Sequence, residues 1–290
     1  PQFDGTTYSF MYGDVLFLVY SLQDYWKGSY NLSTLTSTYL TNDVGNWFRE
    51  QVAAHPEAKW RVALVHKNVF SGSGHQEDEE TPLFRETMLP IFKDCEIDLV
   101  LQGHDHCYEI IGPVDADTRT PILNAISDVE TVPMNMVSNM MGKKGGVFNV
   151  NDGTLYFIGA TCGTKRYNPN HKLTMEADYE KHKVENYYDL FTGMFGQPGR
   201  PSYSSFTVDG NIITVNSYKV YEGMEPLLFN TFHIKRTREH TPYSEKAHKT
   251  LEQMIQDYGT VKILHNGNML IVRENIAYDT LGQLIYDNRD

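Results

Sequence analysis

Apolar residues along this chain recur with two periods, and the alternation between them lays out the elements. Tyr8–Tyr12 and Val15–Tyr20 are runs of strand length on either side of Gly13-Asp14, the second continuously apolar, as a strand buried on both faces would be. Val44, Trp47, Phe48 and Val52 then recur at helical spacing, with a cap at Thr41 or Asn42 and a stop at His55-Pro56. Trp60–Val65 is a second short apolar run. Thr81-Pro82 opens a helix whose apolar face is Leu83, Phe84, Met88, Leu89 and Phe92. Ile97–Leu101 is a third strand. Strand, helix, strand, helix, strand predicts an α/β domain with polar residues gathered where the strands end.

The pattern loosens over 112–153, a Met-rich stretch with Gly-Lys-Lys-Gly-Gly that reads as a long surface excursion. Thr154–Gly159 resumes strand character. Residues 203–234 give alternating runs around an Asp209-Gly210-Asn211 turn, a hairpin signal. Past Lys235 the composition changes. Arg236–Tyr243 is polar and charged and reads as a linker; Ala247–Tyr258 reads as a short helix, and Val261–Val272 as a hairpin on Asn266-Gly267. The expected organisation is a domain over 1–235, then a linker and small module over 236–290.

Composition narrows the partners. The chain has 290 residues and a formal net charge of −12, which argues against nucleic acid, whose phosphates demand clustered Lys and Arg. No apolar run is long enough for a membrane-spanning helix. Pro1–Tyr12 lack the basic and apolar regions of a signal peptide, and a chain opening on proline is expected to be a processed or truncated product. Three cysteines, Cys95, Cys107 and Cys162, do not make a disulfide framework and read as buried thiols.

Candidate chemistry lies at the strand ends. Gly103-His104-Asp105-His106 follows a buried strand, and imidazoles one residue apart there can serve neighbouring metal ions; the glycine lets the turn approach an ion closely. His66 follows Trp60–Val65 directly, so it falls on the same sheet edge, and three imidazoles on one rim suit zinc or iron. His75, nine residues further on in a Gly-rich loop, is placed to bind phosphate or protonate a leaving oxygen.

Trp60–Phe70, with His66 after its strand, and Ile97–Glu109, with Gly103-His104-x-His106 followed by Tyr108-Glu109, resemble the histidine motifs of the calcineurin-like metallophosphoesterases, the purple acid phosphatases in particular. The resemblance runs from about residue 5 to 235 and covers the C-terminal half of that family's domain. It implies the corresponding portion of an αββα sandwich, with the C-terminal β-hairpin module appended. It also implies a phosphoric ester hydrolase with two metal ions, Fe, Zn or Mn, and a metal-bound hydroxide nucleophile. His66 and His104 would bind one ion, His106 the other, and His75 would be the catalytic residue near the substrate. Substrate choice in the family rests on loops, here 113–150 and 165–200.

The family's carboxylate and Gly-Asn-His motifs have no credible counterpart. Gly13-Asp14 precedes the wrong strand, and Gly45-Asn46-Trp47 lies inside an amphipathic helix. Two dications without a bridging anion repel, so the isolated chain is expected to hold no ion or one and to be inactive or impaired. A half-sandwich would expose an apolar face and an open edge, so the chain is expected to self-associate or to lack a partner half. The alternatives are a non-catalytic binding or surface-display domain on the same fold, and a mononuclear zinc protein using only His66, His104 and His106. Residues 261–286 resemble the C-terminal sorting modules of some exported bacterial proteins, which implies an extracytoplasmic or secreted setting. The expected partner is a small phosphate ester.

Overall fold

The computed structural model describes residues 6–22, 43–78, 80–135, 140–169, 187–241 and 243, and the strands 261–265, 268–273, 276–278 and 284–287. The chain divides into two compact units, Pro1–Tyr243 and Ser244–Asp290.

In the first unit β1 (Tyr8–Tyr12) and β2 (Val15–Val19) form a hairpin through Gly13, whose φ of +56° suits a residue without Cβ. Then come α1 (Gly45–Ala54), β3 (Trp60–Leu64), α2 (Glu80–Asp94) and β4 (Leu99–Leu101). After these run β5 (Tyr108–Asp115), β6 (Thr120–Pro121), β7 (Ile126–Asn135), β8 (Met140–Asn149), β9 (Thr154–Gly159), β10 (Met194–Gly196), β11 (Ser202–Asp209), β12 (Ile212–Lys219) and β13 (Leu227–Lys235). The sheet order is β1-β2-β3-β4-β9-β5-β10-β8-β13-β12-β11, with β6 on β5 and β7 on β8. β2, β3, β4 and β9 are parallel neighbours, so their carboxyl ends share one edge. The helix expected over Val44–Val52 and the helix opened by Thr81-Pro82 both form; the proposed caps Thr41 and Asn42 lie outside the described residues.

The parallel strands bury both faces. Leu16, Leu18, Ala63, Val100 and Tyr156 join α1 and α2 in one core, with Phe48, Phe84 and Phe92. Val15, Val62, Leu99, Leu155 and Phe157 join a second core with Phe148, Ile213, Val215, Phe232 and Ile234 from β8, β12 and β13. Side chains from the two ends of the sheet order thus pack together. Trp60 Nε1 donates to Gly210 O at 2.9 Å, and Tyr108 Oη meets Ser217 Oγ at 2.9 Å. The expected α/β class holds, as helix, sheet and sheet; among the described residues both α-helices belong to the first core. No described helix is long and apolar enough to cross a membrane.

Two expectations change. Residues 112–153 are not an irregular excursion: β7 and β8 form a long antiparallel ladder, and β8 also pairs β10 and β13. Its Gly-rich sequence lacks strand propensity, but a Cβ at Gly142 would stand 2.6 Å from Gly193 O, so close backbone approach selects glycine there. The polar stretch from Arg236 is not a free linker either. Arg236 Nη1 donates to Asp98 Oδ1 at 2.8 Å and His240 Nε2 meets Asp98 Oδ2 at 3.0 Å. A buried carboxylate needs such partners, so the larger unit continues to Tyr243.

Cys95 and Cys107 are buried thiols as expected, whereas Cys162 is exposed. In the second unit β14 (Val261–His265), β15 (Asn268–Arg273), β16 (Ile276–Tyr278) and β17 (Leu284–Asp287) make a four-stranded antiparallel sheet, larger than the single hairpin expected. The helix expected over Ala247–Tyr258 lies outside the described residues.

Candidate metal centre at the strand ends

The parallel strands deliver the histidines together. Val65 N donates to Leu101 O at 3.0 Å and Gly103 N to His66 O at 3.1 Å, so the chain beyond β3 and the chain beyond β4 leave the sheet side by side. A Cβ on Gly103 would meet His66 O at 3.2 Å and His66 Nδ1 at 3.3 Å, which is why glycine precedes the second motif. His104 follows with φ +68°, left-handed backbone that a non-glycine residue adopts only when its surroundings hold it there. The His66 and His104 rings are 5.3 Å apart, centroid to centroid.

His75 sits in a 3-10 turn, Gly74–Glu77, and its ring lies 3.7 Å from that of His104, tilted by 32°. Polar residues of the second motif hold the intervening loop in place. Gln102 Oε1 accepts from Val69 N at 2.9 Å, and its Nε2 donates to Phe70 O at 2.8 Å. Buried Asp105 accepts from the Ser71 hydroxyl, from Ser73 N at 3.3 Å and from Asn68 Nδ2 at 3.2 Å. Glu109, fully buried, accepts from Gly72 N at 3.0 Å. Asp105 and Glu109 therefore carry the loop that carries His75.

His106 points elsewhere on the rim. Its Nδ1 is 3.0 Å from Lys165 O, and since a carbonyl only accepts, Nδ1 is the donor and Nε2 is the nitrogen open to a ligand. Its ring stacks on Tyr167 at 4.7 Å, and Tyr167 is also 5.4 Å from His75. Gln197 Nε2 fixes this loop by donating to Tyr167 O at 2.7 Å and to His106 O at 2.8 Å.

Burial lowers the pKa of His66, helped by the charges of His106, Lys67 and His75. Burial, then His75, Lys67 and His66, lowers that of His104 to about 4, with Asp105 opposing. Both are neutral imidazoles near pH 7, the form that binds metal. Burial raises the carboxyl of Glu109 well above the ordinary range, and the Asp105 charge adds to it.

A crevice of about 450 Å³ opens beside the rim, lined by Tyr20, Leu22, Val65, His66, Lys67 and Gly103 among others. It lies outside the carboxyl ends of parallel strands, where α/β folds place ligands. A second cavity, of about 190 Å³, lies by Glu96, Arg236 and Arg238, but its cations are paired, Arg236 with Asp98 and Arg238 with Asp152.

One carboxylate at the rim escapes the reading by sequence. Asp78 Oδ2 stands 2.9 Å from His75 Nδ1 and 4.0 Å from His104 Nε2. Ligand atoms of His75, Asp78 and His104 all lie within 4.8 Å of one another, the set among the described residues that could hold an ion together. Asp78 belongs to the acidic run Gln76–Glu80, which reads as solvated charge; the signal was the His-x-x-Asp spacing across a single turn. Two imidazoles and a carboxylate suit zinc, iron or manganese.

The family profile described as calcineurin-like phosphoesterase matches residues 2–108. An uncharacterized protein of Mycobacterium tuberculosis (strain H37Rv) is 29% identical over 131 residues, 42% of this chain and 24% of that protein. Purple acid phosphatase 3 of Arabidopsis thaliana is 35% identical over 85 residues, 28% of this chain and 21% of that protein. The chain thus spans about a quarter or less of these relatives. The purple acid phosphatase PPD1 from yellow lupin seeds superposes with a TM-score of 0.48 at 16% identity, over 79% of this chain and 32% of that one.

Proposed function

We propose that this chain, whose residues 2–108 match the calcineurin-like phosphoesterase family, supplies the histidine side of a metal-dependent phosphate-ester hydrolase. The observation that carries the reading is the joint delivery of His66 and His104 to one edge by β3 and β4, with His75 brought onto His104. His66, His104 and His106 are the residues we assign to hold metal in the complete site. Bound metal would supply the positive charge that neutralises phosphate oxygens and acidifies a water. The residues of the chain do the rest: depressed basicity keeps His66 and His104 ready as ligands, and the Lys165 carbonyl fixes the His106 tautomer. The net charge of −12 would repel an anionic ester, so attraction has to be local to the rim.

Among the described residues Asp78 is the carboxylate that joins the rim histidines, so the chain alone is expected to turn over slowly, well below the roughly 1–1000 s⁻¹ of ordinary enzymes. The test is hydrolysis of p-nitrophenyl phosphate with added Zn²⁺, Mn²⁺ or Fe²⁺, comparing wild type with His104→Ala. Weak, metal-dependent turnover that disappears in the variant is the expected result. Metal-independent turnover, or turnover undiminished in His104→Ala, would sink the hydrolase reading; ordinary enzyme rates would sink the claim of impairment.

A further inference from the structure

We propose that His75, Asp78 and His104 form a divalent-cation site contained within this chain, mononuclear and independent of the family's missing carboxylates. The proposal rests on the reading of the rim as a metal centre, and it makes His75 a ligand in place of the leaving-group acid that the resemblance implies.

The geometry comes first. A tetrahedral ion with bonds of about 2.1 Å holds its ligand atoms about 3.4 Å apart. Asp78 Oδ2 lies 2.9 Å from His75 Nδ1 and 4.0 Å from His104 Nε2, distances that straddle that value. All three residues are half-buried, so the donors are removed from bulk water yet open to an entering ion.

The supports come next. A ligand set binds tightly when other groups hold its members in place. His104 is held by the hydrogen bond between Gly103 N and His66 O and by the close approach of Gly103 to His66, where a Cβ would stand 3.2 Å from His66 O. His75 and Asp78 lie on one turn. That turn is tied at its start to the loop pinned by Asp105 and Glu109, and beyond it by the Thr81 hydroxyl, which donates to His75 O at 2.9 Å.

Charge sets the number of ions. Asp78 offsets one of the two charges of a dication, and the other rim ligands, His66 and His106, are imidazoles that bring no negative charge. Among the described residues a second dication on that side would face the first without a bridging anion. Two imidazoles and one carboxylate, with coordination positions left for water or an ester oxygen, make an open site of the kind that zinc and ferrous enzymes use.

The experiment is calorimetric titration of the EDTA-stripped 290-residue chain with Zn²⁺, repeated with Co²⁺ while its visible absorption is followed. Wild type, Asp78→Asn and His55→Ala are compared, and circular dichroism checks that each is folded. We expect one ion per chain, affinity weakened at least 10–100-fold with an altered Co²⁺ spectrum in Asp78→Asn, and a change within about twofold in His55→Ala, at the end of α1. Equal affinity in Asp78→Asn and wild type would mean that Asp78 only hydrogen-bonds His75, and would overturn the assignment. So would two ions per chain that survive the substitution, or no binding by the folded wild type. The two readings fail separately. Metal-dependent ester hydrolysis with metal binding indifferent to Asp78 leaves the hydrolase standing and removes this site; binding as expected with turnover that is metal-independent or undiminished in His104→Ala does the reverse.

Discussion

The parallel sheet buries polar groups at both of its ends, and the two ends settle their charge in opposite ways. At the amino end of β4, Asp98 is fully buried and receives Arg61 N at 2.8 Å, Arg236 Nη1 at 2.8 Å and His240 Nε2 at 3.0 Å. Glu96 adds a second acceptor for Arg236 at 3.2 Å. Charges there are matched within the protein, and the cluster locks the segment after β13 onto the sheet. At the carboxyl end, Asp105 and Glu109 are spent on backbone and hydroxyl groups of the loop 68–73, and four imidazoles gather with Asp78 as the carboxylate beside them. Donor capacity is left over. Matched charge makes structure, while surplus lone pairs make a place for an ion.

Removing a member of the matched cluster should have the largest effect. Asp98→Ala strands a buried guanidinium and should cost about 3–5 kcal/mol in urea unfolding; a loss below about 1 kcal/mol would mean that the amino end is no more matched than the rim. A smaller effect, and one that depends on pH, is expected behind the rim. The Glu109 carboxyl is raised in the folded state above its unfolded value of about 4.3. Its contribution is therefore complete below that value and lost as pH rises toward the folded pKa. Wild type should lose stability relative to Glu109→Gln on going from pH 5 to pH 8, by at most about 1.4 kcal/mol per pH unit. Parallel melting curves for the two proteins across that range would show that Glu109 is not held protonated. The least effect is expected at the surface: Arg238, 2.8 Å from Asp152 and more than half exposed, should cost under about 1 kcal/mol as Arg238→Ala. A larger loss would show that the amino-end network extends to solvent.

Legibility in the sequence followed contact range. His66 and His104 could be read because each closes an apolar run, and strand ends in an α/β pattern meet at one edge. Arg236–His240 misled because polar residues look alike whether they face water or Asp98. β7 and β8 escaped because their strand character comes from neighbours in the sheet, with close approach at Gly142 selecting residues of low strand propensity.

The sequence by itself determined the α/β order, the two apolar cores implied by uninterrupted strands, and the placing of histidines at strand ends. All of these depend on local period and on residues adjacent in the chain. Only the tertiary structure decided that Asp105 and Glu109 serve the loop, that His106 turns toward Lys165, and that Asp78 joins His75 and His104. Apart from the His75–Asp78 contact within one turn, these pairings join residues more than about twenty positions apart, which no local pattern can bring together.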